Sequence, residues 1–213
     1  MDSSKEMVKV AKKNKVPSLK KIFNKKTSVD LKKKYGKFDL ILANHVLNHA
    51  DNDISFLTGC INLLGKNSIL IVEVPYWGYQ VQNNLFDQIY HEHRTDFSRS
   101  DFNYLQKKMN FKIIDLEMNK YHGKSIRIFF TKKESDFRLY KNLSKVLLNE
   151  NRLKLFNYNT YKLFQKNIEH YKKKFLTKLK KIHNKSNIIA VGASAKGNTF
   201  LNYMELNFKM IQA

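Results

Sequence analysis

The sequence has very little cysteine: Cys60 is the single thiol in 213 residues. One cysteine excludes an intramolecular disulfide, which is typical of proteins kept in a reducing compartment. The N-terminus has no apolar segment of the kind that forms a secretory signal. The longest apolar run, SILIVEVPYW, is too short to cross a bilayer. We therefore expect a soluble, cytoplasmic protein without a membrane partner, in which Cys60 is buried as a small apolar side chain.

Acidic residues are also scarce. The chain has 18 aspartates and glutamates against 40 lysines and arginines, which gives a formal net charge of +22. A basic excess of this size is typical of proteins that bind nucleic acid or anionic surfaces. The lysines are, however, spread along the chain, and the aromatic residues stand mostly at spacings typical of a core. We keep a nucleic-acid-binding protein as the alternative and expect the charge to favour an anionic substrate.

Proline and glycine are rare, with 2 and 7 residues respectively, and neither occurs in residues 135–183. Apolar residues recur there at helical spacing, which predicts two helices broken near NENR or FNYN. Earlier in the chain, apolar runs at 38–44 and 68–76 predict buried strands, and a helical pattern at 53–64 lies between them. A strand, a helix and a strand in this order predict a βαβ unit.

Two more strands are predicted at 111–119 and 124–133, after a helix that starts near Ser98 or Ser100. The KYHG join between these strands is too short for a parallel crossover, so they are expected to form an antiparallel hairpin at the edge of the sheet. The chain ends with an apolar run at 188–191, a glycine-bearing loop and a helix. This order predicts a strand that opens a second nucleotide-binding α/β unit.

Together these elements predict an α/β fold. Residues 1–133 are expected to form an incomplete Rossmann-like sheet, with parallel strands and an antiparallel hairpin. Residues 134–213 are expected to form a helical connector and the start of a second domain. A glycine-rich loop normally opens such a nucleotide-binding sheet, and none precedes the first βαβ unit here. The opening MDSSKEM resembles the end of a second strand, so we expect a chain truncated at both ends.

The segment FDQIYHEHRTDF carries a dense group of titratable side chains. The residues alone allow three interpretations: a metal site, an acid/base site or a polar surface segment. His91 and His93 lie two positions apart, so they face apart on a helix and share a side in an extended segment. No second group of cysteines or aspartates offers the remaining ligands, and we therefore predict no metal site.

Five segments, taken in order, resemble the S-adenosylmethionine-dependent sugar C-methyltransferases. They are FDLILANHVLNHADND, ILIVEVPYW, FDQIYHEHRTDFS, HGKSIRIFF and VGASAKGNTFLNY. The YHEH and GASAKGNT strings are the most specific of these. The resemblance implies transfer of a methyl group from S-adenosylmethionine to a carbon next to the ketone of a nucleotide-linked deoxysugar. Members of this family also carry a four-cysteine zinc segment, a glycine-rich cofactor loop and a complete C-terminal domain, which this sequence lacks.

The resemblance implies an active site made of His93, Glu92, Tyr90 and His49. Methylation of a carbon requires a base that removes the proton next to the ketone, and donors that stabilise the enolate oxygen. An imidazole titrates near neutrality, so His93 is assigned as the base. Glu92 is expected to orient the sugar or an imidazole, while Tyr90 and His49 donate hydrogen bonds. His91 is expected to pack rather than to react.

Four residues are predicted to bind the cofactor. Asp2 is placed to accept hydrogen bonds from a ribose diol, although it could also cap a helix. Phe23 is a candidate for stacking on adenine, with a core position as the alternative. Asn44 and His45 follow the first strand of the βαβ unit. They are expected beside the methionine portion, because ligands bind at the carboxyl edge of such sheets.

Five residues are predicted to bind the sugar nucleotide: His122, Arg127, Ser194, Lys196 and Asn198. Arg127 interrupts the apolar strand SIRIFF, and its planar guanidinium suits a phosphate. The alternative is that Arg127 is a charge on an edge strand that prevents aggregation. The family uses the GASAKGN region for the nucleotide diphosphate. Backbone amides at a helix start bind anions, and Lys196 adds positive charge. The alternative for this region is an ordinary turn between a strand and a helix.

Overall fold

The computed structural model describes residues 1–120, 123–139 and 143–211. Helices and strands account for most of this part of the chain. The helices are α1 (Lys5–Lys13), α2 (Lys25–Tyr35), α3 (Asp53–Leu63), α4 (Trp77–Gln82), α5 (Arg99–Lys108), α6 (Leu143–Leu153), α7 (Tyr158–His183) and α8 (Ala195–Tyr203). The strands are β1 (Phe38–Asn44), β2 (Leu64–Pro75), β3 (Phe111–Asn119) and β4 (Ser125–Lys132). Short 3₁₀ turns cover Leu47–His49 and Phe86–Gln88.

The strands form one sheet in the order β1-β2-β4-β3. β1 and β2 are parallel, whereas β4 is antiparallel to both β2 and β3. This arrangement confirms the predicted α/β fold, with its βαβ unit and its terminal hairpin. β4 lies between two other strands, so the edge-strand alternative for Arg127 is wrong: the guanidinium stands on an interior strand.

The predicted strand boundaries are close to the observed ones, with one shift. β2 starts at Leu64, four positions before the predicted start, because the chain enters the strand directly from the end of α3. The pairing of Phe38 with Leu64 is followed by a change of register before Leu40. The hydroxyl of Ser68 accepts the N–H of Gly65 at 2.9 Å within this irregular stretch. This side-chain hydrogen bond stabilises the first residues of β2, which the apolar pattern did not predict as strand.

The main core is formed by the sheet together with α3 and α5. Its fully buried members include Leu57, Leu64, Leu70, Val72, Phe102, Phe111, Ile113, Ile126, Ile128 and Phe130. Cys60 is 1% exposed in this cluster, which confirms its prediction as a buried apolar side chain. Burial raises the pKa of the Cys60 thiol to about 12, so the thiol is unreactive at neutral pH. The cytoplasmic location stays a prediction.

Helix caps explain where two helices begin. The Ser98 hydroxyl accepts the N–H of Asp101, and the Asp101 carboxylate accepts the N–H of Ser98, so α5 starts with a capping box as one of the two predicted caps. Asn24 and Thr27 form a second capping box at the start of α2, a helix that the sequence analysis missed. The lysine-rich sequence of α2 hides any apolar period, and Ser28 is its buried residue.

The later helices pack on the sheet portion through aromatic side chains. The break between α6 and α7 covers residues 154–157, at FNYN rather than NENR. The indole N–H of Trp77 on α4 donates to the hydroxyl of Tyr161 on α7 at 3.1 Å. Phe86 lies 4.6 Å from Tyr203 of α8, measured between ring centroids. The chain after residue 143 is therefore held against the same end of the molecule as the 86–97 segment.

The strand predicted at 188–191 is wrong. The segment forms a single isolated β-bridge at Ile189 and no strand within the described ranges, and Ile189 and Val191 are 68% and 96% exposed. A strand requires a neighbour to satisfy its backbone groups, and an apolar run cannot supply one. The helix that follows is formed as predicted. The division of the chain into domains at residue 133 stays a prediction. No helix in the described part of the chain is long and apolar enough to cross a membrane.

Candidate active site

Tyr90 and His93 are brought together by a tight turn. The N–H of His93 donates to the carbonyl of Tyr90 at 2.9 Å, which turns both side chains to the same side of the segment. The Tyr90 hydroxyl lies 2.9 Å from Nε2 of His93, and the ring centroids are 4.2 Å apart. Both residues are half-buried. The structure therefore contains a hydroxyl–imidazole pair, a unit that can transfer or share a proton.

His49 joins this pair from a different part of the chain. Its ring meets the His93 ring edge to face with centroids 5.1 Å apart. Its Nδ1 lies 2.7 Å from the backbone carbonyl of Glu92. A carbonyl accepts hydrogen bonds, so Nδ1 carries the proton and Nε2 of a neutral His49 is an acceptor. His49 can therefore donate to a sugar oxygen through Nε2 only when its ring is charged.

Backbone contacts hold the two segments at this distance. The carbonyl of Asn48 accepts the N–H of Arg94 at 2.8 Å and that of Thr95 at 3.4 Å. The Arg94 guanidinium donates to the carboxylate of Asp51 at 2.9 Å. The 3₁₀ turn that carries His49 is thus fastened to the segment that follows His93. These contacts explain how residues more than forty positions apart form one cluster.

The remaining members of YHEH face solvent. The side chain of His91 is 90% exposed, so the expectation that His91 packs is wrong. The Glu92 carboxylate is 58% exposed, and its Oε1 lies 3.9 Å from Nε2 of His91. The backbone carbonyl of Glu92, rather than its carboxylate, contacts the cluster: it accepts the Nδ1–H of His49 and so orients the His49 ring. The predicted role of Glu92 in orienting the sugar stays a prediction.

The environment shifts the proton affinity of both partners in the pair. Burial, then the nearby His49 and then Lys196, lowers the pKa of the His93 imidazole from 6.5 to about 4. His93 is therefore uncharged at neutral pH. Burial, together with the charges of Glu92 and Asp96, raises the pKa of the Tyr90 hydroxyl, so Tyr90 remains a hydrogen-bond donor.

A cavity of about 620 Å³ opens at the carboxyl end of β1. It is lined by all of the residues predicted to bind the cofactor, namely Asp2, Phe23, Asn44 and His45, and also by His49. His49 thus belongs both to the cavity wall and to the acid/base cluster. The structure therefore brings the two predicted groups of residues to a single edge of the sheet.

The local roles of these residues differ in detail. Asp2 does not cap α1: Ser4 does, and Asp2 accepts the N–H of Ser4 at 2.7 Å. Phe23 lies edge to face against Phe56 with centroids 5.1 Å apart, and it is half-buried beside the core. One face of Phe23 is thus core and another lines the cavity. His45 adopts a left-handed backbone with φ of 50°, a conformation that surrounding contacts must hold.

The donor set of the cavity fits S-adenosylmethionine. An exposed carboxylate suits a ribose diol, an aromatic ring suits a purine, and polar groups at the end of β1 suit an amino acid moiety. No group of three or more metal-ligating side chains occurs in the part of the chain that the structure describes.

A buried carboxylate that the sequence analysis missed lies beside His45. Glu73, at the end of β2, is 3% exposed. Its Oε2 accepts a hydrogen bond from Nε of Arg127 at 2.9 Å, and its Oε1 accepts hydrogen bonds from Oγ of Ser125 at 2.5 Å and from the side-chain amide of Asn119 at 3.1 Å. These donors lower the pKa of Glu73 against the effect of burial, so it is ionised. The signal for it was available: a glutamate in VEV and an arginine in SIRIFF each interrupt an apolar strand.

The residues predicted to bind the sugar nucleotide do not form one group in the structure: three belong to the start of α8, and Arg127 lies in the sheet. Ser194 caps α8 by accepting the N–H of Gly197 at 3.0 Å, and Asn198 accepts a hydrogen bond within the helix. Lys196 stands in the first turn, close enough to His93 to lower its pKa. Arg127 pairs with Glu73 and with Glu117 inside the chain. His122 lies outside the described residues, and the substrate roles of all five stay predictions.

Two family models cover this architecture. Residues 1–116 match a model described as a methyltransferase domain, and residues 120–213 match one described as a C-methyltransferase C-terminal domain. C-methyltransferase NovU from Streptomyces niveus is 25% identical over 150 residues. That match covers 70% of this chain but 36% of the length of NovU.

Solved structures of methyltransferases also resemble the chain. A possible histamine N-methyltransferase from Thermotoga maritima is 19% identical with a TM-score of 0.43, and the match covers 61% of this chain and 70% of that one. Magnesium protoporphyrin IX methyltransferase from Synechocystis PCC 6803, solved with bound SAH, is 15% identical with a TM-score of 0.36, covering 46% of each chain. The family models carry the assignment, since the first spans more than half of the sequence. The chain belongs to the S-adenosylmethionine-dependent methyltransferases, and its residues 120–213 are similar to the C-terminal domain of C-methyltransferases.

Proposed function

We propose that this site transfers a methyl group from S-adenosylmethionine to the carbon next to the ketone of a nucleotide-linked deoxysugar. One observation supports the proposal above all others: His49 lines the cavity suited to the cofactor and also contacts the ring of His93. A methyl donor in this cavity and a base at His93 would act on the same substrate carbon from adjoining walls.

The acid/base step is assigned to the chain's own residues. His93 removes the proton from the carbon next to the ketone, because its low pKa leaves the imidazole uncharged at neutral pH. Tyr90 donates to the developing enolate oxygen, since its raised pKa keeps the hydroxyl protonated. S-adenosylmethionine supplies an electrophilic methyl group when it is bound. Asp2, Phe23, Asn44 and His45 would hold it by the ribose, the adenine and the methionine portion.

An anionic substrate would also improve the base. An imidazole with a pKa near 4 is uncharged but binds a proton weakly. Lys196 contributes to that low value. A nucleotide diphosphate bound at Ser194, Lys196 and Asn198 would offset the charge of Lys196 and raise the pKa of His93 toward neutrality. In this proposal, binding of the substrate raises the pKa of His93 and so makes it a stronger base.

The relative NovU is named a C-methyltransferase, and the second half of the chain matches a C-methyltransferase C-terminal domain. Both findings favour carbon over nitrogen or oxygen as the methylated atom. The acid/base pair is consistent with this choice, because a carbon nucleophile requires removal of a C–H proton. The sugar nucleotide as substrate rests on the resemblance of the YHEH and GASAKGNT segments to the sugar C-methyltransferases.

Calorimetric titration with S-adenosylhomocysteine tests the cofactor part of the proposal. The intact chain is expected to bind, and Asp2→Ala should weaken the affinity by about tenfold, the effect of losing one charged hydrogen bond. Asp39→Ala is the matched control, because Asp39 is exposed and does not line the cavity. Absence of binding heat at millimolar ligand, or equal losses in both variants, would contradict the assignment.

A further inference from the structure

Glu73 is the most heavily engaged side chain at the carboxyl edge of the sheet. Its carboxylate receives Nε and Nη2 of Arg127 at 2.9 and 2.7 Å, with Ser125 Oγ at 2.5 Å. Asn119 adds a further hydrogen bond at 3.1 Å. A carboxylate that is 3% exposed needs such partners, because an unpaired buried charge is strongly destabilising.

The same residue also reaches the cavity. Nε2 of His45 lies 3.5 Å from Oε1 of Glu73, and the N–H of His45 donates to the carbonyl of Glu73 at 2.7 Å. His45 has a φ of 50°, which a β-carbon-bearing residue keeps only when its surroundings hold it there. Two contacts from one residue, one to the backbone and one to the ring, fix the conformation and direction of His45.

On its other side Glu73 holds both ends of the β3–β4 connection. Asn119 is the last residue of β3 and Ser125 is the first residue of β4. Both donate to Oε1 of Glu73, and the two residues also pair with each other in the hairpin. The carboxylate therefore sits between the cavity wall at His45 and the base of the loop that connects the last two strands.

We propose that Glu73, neutralised by Arg127, is a positioning residue that sets His45 in the cofactor cavity and fixes the base of the β3–β4 loop beside it. This inference rests on the proposed function for the identity of the ligand. It assigns Arg127 a role inside the protein, as the counter-ion of Glu73. Glu117, the other carboxylate near Arg127, is exposed and lies 3.4 Å away, so it is not part of the positioning unit.

A double-mutant cycle on S-adenosylhomocysteine affinity separates positioning from general stability. Glu73→Gln and His45→Ala are each expected to weaken binding by about tenfold. If Glu73 acts through His45, the double variant should bind no more weakly than either single variant. Glu117→Gln is the matched control, since it removes a carboxylate from the same arginine, and it should bind as the unmodified chain does. Losses that multiply in the double variant, or an unchanged affinity in Glu73→Gln, overturn the proposal.

Glu73→Gln leaves Arg127 without its main partner, and that variant could unfold. The variant with both Glu73→Gln and Arg127→Gln removes the two charges together and keeps the test available. It is expected to show the same loss of affinity as Glu73→Gln. If this variant is folded and binds like the unmodified chain, the pair has a structural role only, and the proposal is wrong.

Amide hydrogen exchange tests the positioning without any ligand. The His45 amide should exchange at least about tenfold faster in Glu73→Gln than in Glu117→Gln, because the His45 ring has lost its contact with the Glu73 carboxylate. Equal exchange rates overturn the positioning role. If the unmodified chain fails to bind S-adenosylhomocysteine but the His45 amide responds as expected, the proposed function fails while the positioning of His45 by Glu73 stands.

Discussion

The rings of His49 and His93 meet edge to face, with centroids 5.1 Å apart, although the residues come from different segments of the chain. His49 is the point at which the cofactor cavity and the acid/base cluster touch. Its Nδ1–H is engaged by the Glu92 carbonyl, and its proximity lowers the pKa of His93. The position of His49 therefore affects both the wall of the cofactor cavity and the pKa of His93, the proposed base.

Removal of the charge of Lys196 should raise the pKa of His93. Lys196 is one of the groups that lower this pKa from 6.5 to about 4, after burial and His49, so Lys196→Met is expected to raise it. The titration of the His93 ring proton, followed by NMR, measures the change. Lys178→Met, on the exposed side of α7, is the control and should leave the value unchanged. A fall in the pKa of His93 in Lys196→Met would contradict the placement of Lys196.

The α6 helix should depend on Glu150 for its attachment. Glu150 is 2% exposed and accepts the backbone N–H of Arg99 at 2.6 Å and of Ser100 at 3.0 Å. Amides in the first turn of a helix such as α5 have no acceptor within the helix, and negative charge is favoured there. Glu150→Gln is expected to lower the free energy of unfolding by about 2 kcal/mol. Urea denaturation measures this loss.

Glu169→Gln provides the comparison for the Glu150 variant. Glu169 is exposed on α7, and its neighbour is Gln165 at 3.0 Å. This substitution should change the free energy of unfolding by less than about 0.5 kcal/mol. Equal losses in the two variants would mean that Glu150 does not stabilise the start of α5.

Asp96 should make the fold more stable at acid pH than at neutral pH. Burial raises the pKa of its carboxyl from 3.8 to about 6. A raised pKa means that the folded state binds the proton more tightly. This contribution is fully present below about pH 3.8 and is lost as the pH rises through about 6. Asp96→Asn is therefore expected to increase the free energy of unfolding at pH 7 by about 1 kcal/mol, after allowance for solvent screening.

Denaturation curves of Asp96→Asn at pH 4 and pH 7 provide the check. The stabilisation should be present at pH 7 and much smaller at pH 4, where Asp96 itself is protonated. Asp30→Asn, an exposed aspartate on α2, should show no such difference. A variant that is less stable than the unmodified chain at pH 7 would show that the ionised Asp96 has a partner that stabilises it.

Much of the sheet could be predicted because its strands are apolar, although the predicted burial of β1 is wrong: β1 is an edge strand with Leu40 and Leu42 52% and 61% exposed. β1 and β3 have the predicted bounds, and the short KYHG join required an antiparallel hairpin. The failure at 188–191 has the opposite cause. An apolar run predicts a strand only if a neighbour is available, and the sequence carries no information on that neighbour. Helix α2 was missed because its lysines obscure periodicity, whereas its cap residues Asn24 and Thr27 were informative.

The candidate site was predicted in part for similar reasons. Residues at strand ends and in YHEH are recognisable from position and residue type, and Asp2, Asn44, His45 and His49 do line one cavity. The network of Glu73 was missed because its members are spread over three strands. Their pairing depends on the register that aligns Glu73 with Arg127 across β2 and β4. Register of this kind is a property of the assembled sheet.

The most direct test of the central claim is exchange of the substrate's C–H proton for deuterium in D₂O, without the methyl donor. With a nucleotide-linked 4-keto-deoxysugar, the chain should accelerate exchange at the carbon next to the ketone, and His93→Ala should reduce the rate by about a hundredfold or more. His93→Ala should retain its affinity for S-adenosylhomocysteine. His170→Ala, an exposed histidine on α7, serves as the control. Exchange at the background rate in the unmodified chain, or equal rates with and without His93, would contradict an acid/base site at this edge of the sheet.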